Sequence, residues 1–89
     1  MNELDYLNKQ VTSAIFNLEK TERRLSRIEE RIARLTLPFS VEGRIARRGA
    51  VRAAVAGRDD ERAKELVARF IGENGTDEEL GAELKALLL

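Results

Sequence analysis

Leu4, Leu7, Val11, Ala14, Leu18, Thr21, Leu25, Ile28, Ile32 and Leu35 follow one another in steps of 3 and 4 residues without a slip. That alternation is an a/d heptad seam, with Leu4, Val11, Leu18, Leu25 and Ile32 at a and the others at d. Eight of the ten are large aliphatics, so the stripe is too apolar to stay in water. A lone amphipathic helix has a period of 3.6 and drifts from a strict 3.5 repeat over this length. The pattern therefore predicts supercoiling against a similar helix. Such a helix spans about 50 Å at 1.5 Å per residue, and the later helical segments are about half as long. Its cover is a second copy of the chain, a different protein, or the C-terminal helices stacked end to end. The heptad logic favours a homodimer or higher homo-oligomer.

The flanks of the seam leave strand direction open. In a parallel pair, Arg24 at g would meet Glu29 at e of the neighbour, and Asn17 would meet Glu22. Leu25 at a with Ile28 at d leans toward more than two strands, and Ala14 and Thr21 thin the middle. Tyr6 at c and Phe16 at f lie off the seam, where a plain coiled coil is polar. Two readings fit them: a surface on which the C-terminal part of the chain packs, or a docking surface for another protein.

Tyr6-Leu7, Val11-Thr12, Thr21-Glu22-Arg23-Arg24-Leu25 and Glu29 are similar to the pattern of the N-terminal docking helix of modular polyketide synthases. The similarity covers the first third of the chain, requires inserted residues and is shared by coiled coils rich in Arg and Leu. No assignment rests on it.

Pro38 is the only proline, and it ends the first helix because the residue before a proline avoids the α region. The sequence thus divides into a coiled-coil helix over 1–36, a linker at 37–40 and a small helical unit over 41–89. Within that unit, Ser40 is placed to cap a helix running to about Ala56, with Glu42 in its first turn. Gly43, Ala46, Gly49, Ala50, Ala53 and Ala54 form a small-residue side suited to close helix packing. Arg44, Arg47, Arg48 and Arg52 share the other side with Val51 and Val55. Asp59 or Asp60 caps a third helix with the stripe Ala63, Leu66, Val67, Phe70, Ile71. Thr76-Asp77-Glu78-Glu79 reads as a capping box for a fourth, which buries Leu80, Leu84 and Leu87. The fold class is all-α: a long N-terminal coiled-coil helix, then a small three-helix unit, in an oligomeric bundle.

Charge is balanced at 16 basic and 16 acidic residues but not evenly spread. Residues 36–58 carry five arginines against Glu42, whereas residues 59–89 carry nine acids against four bases. Two explanations compete for Arg44, Arg47, Arg48 and Arg52. They pair with the acids that follow, or they present a surface to a protein or nucleic-acid partner. A helix-turn-helix reading of the second and third helices fails, because Asp59, Asp60 and Glu61 would meet phosphates at the point of groove entry.

With no cysteine and no histidine, thiolate chemistry, disulfides and the commonest general base and metal ligand are all missing. The carboxylate clusters sit at helix N-termini, where capping accounts for them. The expectation is a non-enzyme with no catalytic or metal residues and no cofactor. It is expected in the cytoplasm, away from any membrane, acting as a structural, adaptor or assembly protein. The alternatives are a small nucleic-acid-binding regulator using the arginine face of the second helix on a dimer, and a small helical inhibitor of another protein.

Overall fold

Each of the four helices in the computed structural model, which describes residues 2–89, starts on a side-chain cap. α1 spans Glu3–Arg34, with Asn2 accepting from the backbone N–H of Asp5. α2 spans Val41–Ala56, and Ser40 Oγ accepts from Gly43 at 3.0 Å. α3 spans Asp60–Ile71 and is capped by Asp59. α4 spans Glu78–Ala86. The capping box expected at Thr76 is not the one used: Asp77 caps α4 through Leu80 N–H, at 2.8 Å. Thr76 instead donates to the carbonyl of Phe70 at 2.7 Å, satisfying the frayed end of α3.

α1 and α2 run antiparallel, joined by a tight corner at Leu35–Ser40. Ser40 turns back to donate from both its N–H and its hydroxyl to the Leu37 carbonyl. That carbonyl lies 1.9 Å from where a Cβ on Gly43 would stand, so the first turn of α2 can lie under the corner only because residue 43 is glycine. At the other end, Gly57 stands equally close to α1. A Cβ there would fall 2.6 Å from Arg23 Cγ and 3.0 Å from the Glu19 carbonyl oxygen. The left-handed residue of this turn is the next one, Arg58, at φ 61°.

α2 is the central helix of the chain. Its small residues Ala46, Ala50 and Ala54 join Ala33 of α1 in the core, with Val51, Ala63, Leu66, Val67, Phe70, Leu80 and Leu84. α3 and α4 pack on α2 and on each other, whereas no Cα of α1 comes within 8 Å of either. Neither of the two sequence readings of the arginine side of α2 enclosed it, yet Arg47 and Val51 on that side are buried, because α2 is covered on two faces. The whole measures 57 × 24 × 18 Å, its long axis set by α1.

Candidate oligomerisation surface

On the heptad wheel of α1, contacts with the rest of the chain run through Glu19, Ser26 and Ala33 at b and Arg23 and Glu30 at f, with Glu29 at e on their edge. Ser26 and Ala33 are fully buried. Ser26 Oγ donates to the Ala50 carbonyl at 2.7 Å and accepts from Arg62 Nε at 3.1 Å. Arg23 donates to the Gly57 carbonyl at 2.6 Å. Glu30 is the hub. One carboxylate oxygen accepts from Arg62 at 2.7 Å, and the other accepts from Arg34 at 2.9 Å and from Arg69. Burial opposes its ionisation, but the hydrogen bonds from Arg62 and Arg69 outweigh that and hold the carboxyl at about 2, against an ordinary 4.5. Long arginine side chains thus tie α3 to α1 across a gap that the two backbones do not close.

The a/d seam lies on the opposite side. Leu4, Leu7, Val11, Leu18, Leu25, Ile28, Ile32 and Leu35 keep between 40% and 73% of their surface in solvent, and Ala14 and Thr21 are exposed with them. The C-terminal helices do not lie end to end along the seam; nothing among the described residues covers it. Thr21 is compatible with a dry seam, since its hydroxyl already donates to the Asn17 carbonyl at 2.9 Å. Tyr6 and Phe16 are also left in the open, contrary to the expectation that the C-terminal unit packs on them. That unit reaches back along α1 only as far as Glu19. Phe16 borders two shallow grooves, one with Lys20, Arg23, Arg24 and Arg27, the other with Asn8, Lys9, Thr12 and Ser13.

The α2 arginines are mostly occupied. Arg47, 1% exposed, makes a bidentate pair with Glu73 at 2.8 and 2.9 Å. It also donates to the carbonyls of Ala33, Thr36 and Gly43, and its guanidinium carbon stands 5.6 Å from the Phe70 ring centre. Arg48 pairs with Glu83 at 2.7 Å, and Arg44 with Asp77 at 2.8 Å. The Asp77 carboxyl is held below its ordinary range by the Leu80 N–H and then by Arg44. Arg52 alone of the four has no ion pair among the described residues. Of these four, then, the structure brings three into the chain's own acidic half, the partner that charge arithmetic had offered.

Sequence reasoning passed over a second basic surface. Lys20, Arg24, Arg27, Arg31 and Arg34 lie on the c and g positions of α1, all exposed. Only Arg34 has a carboxylate, at Glu30. From position 19 onward the acids of α1 fall on the other flank, at b, e and f, so charge in that half of the helix is segregated rather than mixed. The heptad register carried this signal, because every residue at c or g from position 20 to 34 is basic.

Among the described residues, no group of three or more acidic side chains is placed to hold a metal ion, and no helix is long and apolar enough to cross a membrane. No family model, no curated protein and no solved structure matches the chain.

Proposed function

We propose that this protein is a non-enzymatic, homo-oligomeric coiled-coil module with a structural, adaptor or assembly role. It holds its C-terminal helical unit in fixed copies for a protein partner. One observation carries the reading: the chain uses the b/f face of α1 for itself and leaves the whole a/d seam exposed. Full burial of a large aliphatic side chain is worth about 1.5–3 kcal/mol. For eight side chains already about half covered, the gain is roughly 6–12 kcal/mol per chain, twice that for a pair, against an association cost of about 4–15 kcal/mol. The balance favours pairing over most of these ranges. Sedimentation equilibrium tests it. The wild-type chain is expected to be at least dimeric at micromolar concentration, and Leu25→Asp, which puts a charge into the seam, to dissociate or unfold it. A folded wild-type monomer would remove the reading.

A second reading, binding to a nucleic-acid backbone, is favoured by the α1 basic stripe rather than by the α2 arginines first considered. Lys20 to Arg34 rises about 21 Å, with five cations along one side. Affinity for random-sequence DNA that falls steeply with salt would support it. Salt-independent or absent binding would leave the coiled-coil reading alone.

A further inference from the structure

The charges of α1 divide into those the chain uses and those it leaves. Glu19 and Glu30 have arginine partners within the chain, and Arg23 holds a backbone carbonyl. Glu22, Arg24, Glu29 and Arg31, the charged e and g residues beside the second half of the seam, have no ion pair among the described residues. We infer that the seam's partner is a second copy of this chain, aligned parallel and in register. The inference rests on the coiled-coil reading above and adds to it the direction, the register and the copy number.

Three features of the structure support it. In a parallel pair, Arg24 faces the partner's Glu29 twice over and no like charges meet. In the antiparallel pairing that overlaps the seams fully, Leu7 lies opposite Ile32. Arg24 then faces Asn17 and Glu29 faces Asn8, so no opposite charges are matched. The second feature is the corner after α1. Leu35, Leu37, Phe39, Val41 and Ile45, which follow the end of the seam in the chain, are 54–74% exposed. Parallel alignment sets two such corners side by side, where they can shield one another. Antiparallel alignment holds them about 48 Å apart, one helix length, each facing water. The third feature limits the number of strands. α2 already stands against the e side at Glu29, whose carboxylate would be 2.7 Å from a Cβ on Gly49. From Glu19 onward this crowds the e flank, where a third helix would have to lie.

The chain contains no cysteine, so single cysteines placed in the full-length protein report direction cleanly. Leu7→Cys and Ile32→Cys are oxidised separately and as a mixture. Self-linked dimers of each, with no mixed species, are the expected result. A mixed Leu7-to-Ile32 disulfide in a protein that sediments as a dimer overturns the parallel alignment and leaves the coiled coil standing. A wild-type monomer removes both. As a measurement that leaves the seam intact, Arg24→Glu and Glu29→Arg are each expected to weaken self-association, on the order of tenfold. Mixing the two should restore it, with heterodimer well above the statistical half. Unchanged dissociation constants in both variants also overturn the alignment.

Discussion

Glu30→Gln isolates the contact that holds α3 to α1. The glutamine keeps the shape of the side chain and one acceptor, but it leaves Arg62, Arg69 and Arg34 without a counter-charge. Glu30 is 11% and Arg62 17% exposed at the side chain, so solvent screens that pair little, whereas Arg34 and Arg69 stand half in solvent and contribute less. The carboxyl stands at about 2 in the fold against 4.5 when free, which corresponds to about 3 kcal/mol of folding stability. The sign follows from the direction of the displacement. The unfolded chain takes up a proton near pH 4.5 and the folded chain only near pH 2. The stabilisation is therefore complete above about pH 5 and is lost as pH falls toward 2, with about 2 kcal/mol of it gone by pH 3.

Urea unfolding followed by circular dichroism, at fixed protein concentration because association contributes to apparent stability, reads this directly. At pH 7 the variant is expected to be less stable than wild type by about 2–3 kcal/mol. The gap should narrow steadily between pH 5 and pH 3. Acid loss from Asp77 is common to both proteins and cancels in the difference. A gap that does not change with pH would refute the assignment of the stabilisation to the ionised carboxylate. A gap under about 0.5 kcal/mol at pH 7 would place the cluster among ordinary surface ion pairs.

Arg47→Met is expected to cost about 3–5 kcal/mol in the same assay, since it strands Glu73 and the Ala33 and Thr36 carbonyls. Arg47→Lys should recover little, because an ammonium cannot span the same fork of acceptors. Gly43→Ala drives a Cβ into the Leu37 carbonyl and is expected to cost about 1–3 kcal/mol, seen as a lowered melting temperature; an unchanged melt would mean that the corner relaxes freely. Residues 41–89 alone should give a poorly dispersed amide NMR spectrum, because removing α1 uncovers Ala46 and Ala50 and takes two backbone acceptors from Arg47. Sharp, dispersed peaks with a cooperative melt would show that the unit folds without α1.

The helices and their stripes were legible in the sequence because each depends on local spacing. The a/d seam, the stop at Pro38, and the faces built on Leu66, Val67 and Phe70 or on Leu80 and Leu84 need only a periodicity and a cap. The side of α1 on which the C-terminal unit sits was not legible from the apolar pattern, which points to the seam. Docking on the other face runs through Ser26, Glu30 and Arg62, polar side chains that become interior only when α2 approaches. The small residues Ser26 and Ala33, seven apart at b among long charged neighbours, were the available sign of that approach. The fate of the α2 arginines was half legible: charge arithmetic named the acids of residues 59–89 as partners but could not say that Arg47 would be enclosed. Enclosure depends on five acceptors converging from the α1 end, α2 itself and Glu73, and no local window of sequence contains them all.

The division of α1 into faces bears on how folding and assembly relate. Apolar surface binds whichever apolar surface reaches it first, so a helix with one greasy stripe and a tethered helical unit would be expected to fold back onto its own stripe. This chain avoids that outcome by chemistry. The unit is anchored through hydrogen bonds and ion pairs that only the b/f face can offer: a serine hydroxyl at Ala50, a carboxylate for Arg62 and Arg69, an arginine for Gly57. Their geometry is specific where the hydrophobic effect is not. The glycines at 43 and 57 reinforce the choice, because the first lets α2 start close under the corner and the second lets its end lie against that face. The long seam stays exposed as a consequence of polar specificity on the far side of the same helix. Its length and unbroken register then favour another seam of the same kind over any short segment of the chain.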